Sequence, residues 1–394
     1  EANMVFKANF PNGYMEATVT GPVITIANIS TGNDLITVSG AATVPTYFVR
    51  LIGIDSFTVR ANTEVTRRTV YMDVVVSIDV SGSMDDSING VKKIDAARTA
   101  ANVLVDALFG TADTKELLKM GFVTWNANAR ILPIGYTYVR SEATSQTVPT
   151  FKNPYNGTAN INTIWKAKDS PVPLLSRPPN GWTGCVEARF TNDSTANDAD
   201  TVIDYPIVNS RNWKVFRPAT TNSSGDAMQC TNQGIQRLTN TKATIKSAIA
   251  SATSPSGNTN LVAGLSWGWS LLGKIGPFAG DETPPPAPDE GELVRALILM
   301  TDGDNTQSST DAYRGALNAS GLDARTRLAA QAVKDAGIII YAIRFGAASG
   351  SEALLKEVAS GPTAPYYQYA PDAASLQAAF QEIGNHLSKL RLSR

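Results

Sequence analysis

Histidine is almost absent from this chain: His386 stands alone among 394 residues. That scarcity argues against imidazole-based zinc centres and against histidine-driven acid–base chemistry. Cysteine is nearly as rare. Cys185 and Cys230 are the only two, and both fall in a stretch rich in Asn, Thr, Ser, Gly and Pro. A pair in such a segment suits a disulfide formed in an oxidising compartment, although two separate thiols fit the same count. Charge of one sign is also lacking. Lys and Arg number 34 against 35 Asp and Glu, so nothing points to nucleic acid or an anionic membrane as an obligate partner. No apolar run approaches the ~20 residues needed to span a bilayer. No G-x-x-x-x-G-K-[ST] occurs, which removes support for a P-loop nucleotide enzyme. The chain opens at Glu1 without an initiator methionine, as a processed or clipped form would, so the lack of a leader is uninformative about compartment.

What is present is a change of pattern near residue 70. Residues 1–70 look all-β, with β-branched segments punctuated by Gly21-Pro22, Gly32-Asn33-Asp34 and Gly53. The apolar stretch Tyr47, Phe48, Val49, Leu51, Ile52 and Ile54 needs a cover. A small antiparallel sheet leaning on the next domain is expected. Residues 71–394 read as a second domain, interrupted by an insertion at 138–230. There, strands alternate with helices. Strands are expected at 72–78, 120–125, 129–134 (an edge strand, given Pro133), 294–300, 338–345 and 366–369. Helices are expected at 91–109, 241–252, 261–272, 322–336, 351–359 and 373–390. This order predicts an α/β fold: a doubly wound, mostly parallel sheet with helices on both faces, binding ligands at the carboxyl ends of its strands. The insertion reads as loop-rich, its polar run at 191–201 as solvated chain, and residues 281–292 as an exposed proline-rich connection.

Three loops at those strand ends carry oxygen. Asp79, Ser81 and Ser83 follow the first buried strand. Thr259 precedes the helix at 261. Asp302 ends the strand at 294–300. A lone D-x-S-x-S is a weak signal, but the matching contexts of Thr259 and Asp302 strengthen it. Two carboxylates and three hydroxyls suit a hard divalent cation, Mg²⁺ first, with Mn²⁺ or Ca²⁺ as alternatives. Neutral hydroxyls leave the ion with positive charge to spare, which would attract a carboxylate from a partner.

Asp79-Val80-Ser81-Gly82-Ser83-Met84, Thr259 and Thr301-Asp302-Gly303 together resemble the metal-ion-dependent adhesion site of von Willebrand factor type A domains. The resemblance covers about residues 72–390 apart from the insertion. It implies that Asp79, Ser81 and Ser83 supply the first metal-binding loop, Thr259 the second and Asp302 the third. Gly264-Leu265-Ser266-Trp267-Gly268-Trp269, the run 294–305, Trp182-Thr183-Gly184-Cys185-Val186 and Leu390-Arg391-Leu392 look like TadG-type proteins of bacterial tight-adherence (Flp) pilus systems. Such proteins typically carry a hydrophobic N-terminal membrane segment, which this sequence does not show. The family implies the bacterial cell envelope or an extracellular location. Its expected function is metal-dependent adhesion to a protein partner that presents an Asp or Glu. The competing expectation is a scaffold or minor pilin in which the metal only pins the loops.

An enzyme is the rival class. Ser266, Asp302 and His386 follow the chain order of an α/β-hydrolase triad, and Ser266 lies in G-x-S-x-G. A nucleophile elbow needs a strand just before its serine, whereas Leu261-Val262-Ala263 already belongs to a helix. A non-enzymatic chain is expected. Lys92, Lys93, Arg325 and Arg327 read as solvated helix faces, and Trp267 and Trp269 as core or as packing against the insertion.

Overall fold

The structure, a computed structural model, describes residues 2–30, 33–190, 211–212, 214–273, 276–281, 283–284, 291–346 and 351–392. The polar run at 191–201, Trp213 and most of the proline-rich connection lie outside the described residues. The chain divides into two compact units, residues 1–70 with 285–292 and 391–394, and residues 71–284 with 293–390.

In the first unit, α1 (Ala2–Asn9) precedes an antiparallel meander of β1 (Thr18–Ser30), β2 (Asn33–Pro45) and β3 (Ser56–Arg68). The helix corrects the all-β expectation; two turns are too short for a 3.6-residue period to register in sequence. The apolar stretch expected to need a cover joins β2 to β3 through a 3-10 turn, Val49–Ile52, and stays open, with Phe48 and Leu51 each 87% exposed. One short helix on three strands encloses very little. Among this unit's described side chains only Ala17, Thr46 and Val70 are buried.

The second unit starts on β4 (Val70–Asp79), whose β-branched run is buried along nearly its whole length. A small hairpin, β5 (Ser87–Ile88) and β6 (Val91–Lys92), leads into α2 (Lys93–Phe109). There follow β7 (Leu118–Trp125), β8 (Thr144–Lys152), β9 (Asn160–Lys166), β10 (Gln236–Thr239), α3 (Lys242–Ala250) and α4 (Leu261–Leu272). The chain closes with β11 (Glu292–Thr301), α5 (Ala319–Asp335), β12 (Ile338–Phe345), α6 (Glu352–Val358), β13 (Tyr367–Ala370) and α7 (Ala373–Leu392).

Six strands form one sheet in the order β10-β7-β4-β11-β12-β13. β4 and β7 are parallel, as are β11 and β12, and β12 and β13, whereas β10 runs antiparallel to β7. The result is a mixed α/β architecture. Alternate residues of each strand join different apolar clusters, as a two-residue strand period requires. Val74, Val76 and Ile78 pack with residues of α2, α3 and α7, while Val75 clusters with residues of α4, α5 and α6. Burial on both faces is why these strands read as continuous apolar runs.

The edge strand expected at 129–134 is not formed. That segment makes only isolated bridges, Arg130 with Cys185 and Pro133 with Ile235. Pro133 has no N–H to donate to a ladder, and β10 takes the place beside β7. The insertion, expected to be loop-rich, contains the antiparallel hairpin β8–β9. Its residues are mostly exposed or half-buried, so no strong apolar alternation marks it.

α4 starts on Asn260, whose side chain caps the helix by accepting from the Val262 N–H. Its glycines let it press onto the sheet. A Cβ on Gly264 would sit 2.4 Å from Trp125 Nε1, and one on Gly268 2.4 Å from Leu297 Cδ1. Trp125 is fully buried and cannot swing away. Gly264→Ala should therefore destabilise the fold by about 1–2 kcal/mol, because overpacking outweighs the roughly 1 kcal/mol gain in helix propensity. Thermal melts check this; an unchanged or raised melting temperature would refute the packing argument.

Candidate functional site

The first loop leaves β4 at Asp79, which is fully buried. Its Oδ1 accepts the Ser81 N–H at 2.7 Å, and its Oδ2 accepts the Thr301 hydroxyl at 2.7 Å. The neighbouring strand β11 ends at Thr301, so Asp302 emerges beside Asp79. Asp302 Oδ1 accepts the Ser83 hydroxyl at 2.7 Å, and Ser83 Oγ lies 3.2 Å from Ser81 Oγ. Asp79, Ser81, Ser83 and Asp302 thus form one hydrogen-bonded cluster at the carboxyl ends of adjacent strands.

Thr259 reaches the same rim through its loop. The Gly82 N–H donates to the Gly257 carbonyl, and the Ser256 N–H to the Val80 carbonyl, both at 2.9 Å. Thr259 is buried. Its N–H donates to Thr306 Oγ1 at 2.8 Å, while its carbonyl accepts the Thr306 N–H at 2.9 Å. Leu261, the first residue of α4, donates its N–H to Asn305 Oδ1 at 2.8 Å. The second loop is therefore fastened to both of the others. Gly257 is needed at its bend: φ is +80°, and a Cβ would stand 2.5 Å from Gln229 Oε1.

Two buried carboxylates this close are short of positive charge. Burial, and then the charge of Asp302, push the Asp79 carboxyl up to about 7. Among the described residues no group of three or more His, Cys, Asp and Glu side chains is placed to hold a metal. This cluster instead combines two carboxylates with hydroxyls, a hard-oxygen set that fits a divalent cation of the Mg²⁺ type better than a soft metal.

Sequence reasoning missed three contributors. Lys93, read as a solvated helix residue, has a side chain only 14% exposed and donates from Nζ to Asp302 Oδ2 at 2.7 Å. Its neighbour Lys92 does lie on the surface, paired with Asp85. Thr301, a motif residue with no ligand role expected of it, donates its hydroxyl to Asp79. Gln229, next to the disulfide cysteine Cys230, holds the second loop by accepting the Asn258 N–H at 2.6 Å and donating to Asn258 Oδ1 at 2.8 Å. Arg325, another residue read as solvated, is buried with its guanidinium 5.0 Å from the Phe190 ring centroid; Arg327 stays on the surface with Glu357. In each case the contact comes from residues far away in sequence, which no helical pattern reveals.

Cys185 and Cys230 form a disulfide that closes a separation of 45 residues. Behind it the insertion packs on the rim. Glu187 is buried between Arg217 and Arg314, and the Ala188 N–H donates to the Ala312 carbonyl at 3.0 Å. Trp267 and Trp269 are buried, and Trp267 lies 5.9 Å from the Phe216 ring of the insertion. The three residues in hydrolase-triad order are dispersed among other partners. Ser266 is inside α4, Asp302 is held by Ser83 and Lys93, and His386 Nδ1 bonds the Tyr341 hydroxyl at 2.8 Å.

No protein family and no curated relative matches the sequence. Among solved structures, similarity extends to the pilus adhesin SpaC from Lactobacillus rhamnosus GG, at 13% identity and a TM-score of 0.41 over 95% of this chain and 36% of that one. Proximal thread matrix protein 1 from the mussel byssus, with a zinc-occupied MIDAS motif, aligns at 14% identity and a TM-score of 0.39 over 81% of this chain and 46% of its own. The vWF domain of the type V pili tip protein Mfa5 from Porphyromonas gingivalis aligns at 12% identity and a TM-score of 0.43, over 83% of this chain and 97% of that one. This chain therefore spans well under two thirds of the first two proteins, and these are likenesses at low identity.

Proposed function

We propose that this protein is a metal-dependent adhesion or protein-binding component of a bacterial tight-adherence pilus or cell-envelope assembly, built on a doubly wound von Willebrand A-type domain. The observation that carries the reading is the joining of Asp79, Ser81, Ser83 and Asp302 in one cluster at neighbouring strand ends, with Asp79 wholly buried. Asp79, Ser81, Ser83, Thr259 and Asp302 would hold the cation, Mg²⁺ being the first choice. Once bound, such an ion supplies a Lewis-acidic position for an Asp or Glu of a protein partner. The chain itself supplies the orientation. Thr301 and the Ser81 amide fix the Asp79 carboxylate, and Thr306 and Asn305 fix the second loop. The disulfide supports placement in the envelope or outside the cell. The role is non-enzymatic in this reading.

One observation favours the alternative, a scaffold or minor pilin component in which the metal only stabilises the loops: backbone and side-chain bonds already tie the second loop to both of the others, as loops pinned together would require. Binding of the purified chain to bacterial envelope preparations separates the two. Adhesion predicts that EDTA reduces binding at least about tenfold and that Mg²⁺ or Mn²⁺ restores it. Binding that is indifferent to EDTA would leave the scaffold.

A further inference from the structure

We propose that Lys93 is a built-in competitor of the divalent cation, its ammonium supplying one positive charge to a two-carboxylate site and so setting how tightly that site holds an ion. The inference rests on the metal-site reading above and concerns its regulation.

The placement of Lys93 is unlike that of an ordinary helix-face lysine. It opens α2, where its N–H donates to the Asp86 carbonyl at 2.8 Å. The short β5–β6 hairpin before it returns the chain towards the first loop. From there Nζ reaches Asp302 Oδ2 at 2.7 Å and lies 3.9 Å from Asp86 Oδ2. The Asp302 carboxylate is fully enclosed, with the Ser83 hydroxyl on one oxygen and the Lys93 ammonium on the other. Ion pairs so enclosed are screened little by solvent.

Charge then decides the consequence. Among the enclosed groups of a loaded site, Asp79 and Asp302 would bring two negative charges and Lys93 would return one positive, Asp86 lying largely in solvent. A divalent ion entering this site meets a like charge beside one of its own ligands, which weakens its binding. To be held there it would have to loosen the Lys93–Asp302 pair. The same arithmetic leaves the loaded site with a net positive charge, suited to an anionic group of a partner. Without Lys93 the loaded site would be neutral. An internal ammonium thus keeps the cation-free rim stable and makes loading reversible.

Mn²⁺ titration followed by calorimetry and by electron paramagnetic resonance tests this on the full chain, with Lys93→Gln and the charge-preserving Lys93→Arg. Lys93→Gln should bind Mn²⁺ about tenfold more tightly, and Lys93→Arg should stay within about threefold of the parent. Equal or weaker binding by Lys93→Gln, while the parent binds Mn²⁺ and Asp79→Ala does not, overturns the role of Lys93 and leaves the metal site standing. A parent chain that takes up no Mn²⁺ overturns both. Should Lys93→Gln fail to fold, acylation of Lys93 in the parent chain, read by peptide mass spectrometry, serves in its place. Mn²⁺ should raise that acylation; unchanged or reduced acylation refutes displacement.

Discussion

Asp79→Ala should cripple cation binding while leaving a folded chain. In the structure Asp79 is wholly buried, and both of its oxygens are oriented by donors from different segments, the Ser81 amide and the Thr301 hydroxyl. Alanine removes one of the two charges that would face the ion. Affinity for Mg²⁺ or Mn²⁺ should fall roughly 100-fold or more, about 2.7 kcal/mol or more. Stability without metal should change far less. Burial and the charge of Asp302 already oppose ionisation of this carboxyl, so its removal relieves a repulsion even as it orphans two donors. Circular dichroism and a melt in EDTA check the fold, while calorimetry checks the ion. A variant that still binds Mn²⁺ like the parent would remove Asp79 from the site. Asp79→Asn, which keeps an acceptor for one of the two donors, separates loss of charge from loss of shape and should also bind poorly.

Breaking the Cys185–Cys230 disulfide, with serine at both positions, should have the largest effect on stability. The bridge closes a separation of 45 residues, for which loop-closure entropy corresponds to about 4 kcal/mol. For a domain of this size that is a fall of roughly 10 °C in melting temperature. The consequence should reach the rim as well. Gln229 precedes Cys230 and grips Asn258 in the loop that carries Thr259. The Cys185 carbonyl accepts the Ala219 N–H at 2.9 Å and the Trp182 indole N–H at 2.8 Å. Loosening this corner frees the second loop, so cation affinity should drop several-fold along with stability. Scanning calorimetry and Mn²⁺ titration of the double variant check both effects. Unchanged melting would show that packing of Glu187, Arg217 and Arg314 already holds the insertion.

Much of the second unit was legible from pattern. The helix over 261–272 and the strand over 338–345 match α4 and β12 at both ends, because each has a strong local period and a clear stop. The antiparallel edge was not legible. β10 has four residues, no continuous apolar run and a partner more than a hundred positions earlier, in β7. The insertion hairpin is illegible for a related reason: half-exposed strands carry little apolar contrast. In the first unit, the apolar turn near Phe48 carried the usual mark of a covered surface, yet the turn is exposed. Composition tells which residues favour burial, whereas the enclosing surface must come from elsewhere.

Local periodicity and chain order suffice to put Asp79 and Asp302 at strand ends and Thr259 at a helix start. Composition alone also marks the two cysteines as a candidate pair. What surrounds those groups depends on long-range packing. Lys93 meets Asp302 across 209 residues, and Thr301 meets Asp79 across 222. Pairings over such separations are selected by the closing of the sheet and the docking of α2, not by any pattern within either segment. A lysine at the start of a helix reads the same whether its ammonium faces water or a buried carboxylate; only the packed fold distinguishes a solvated charge from one held inside the site.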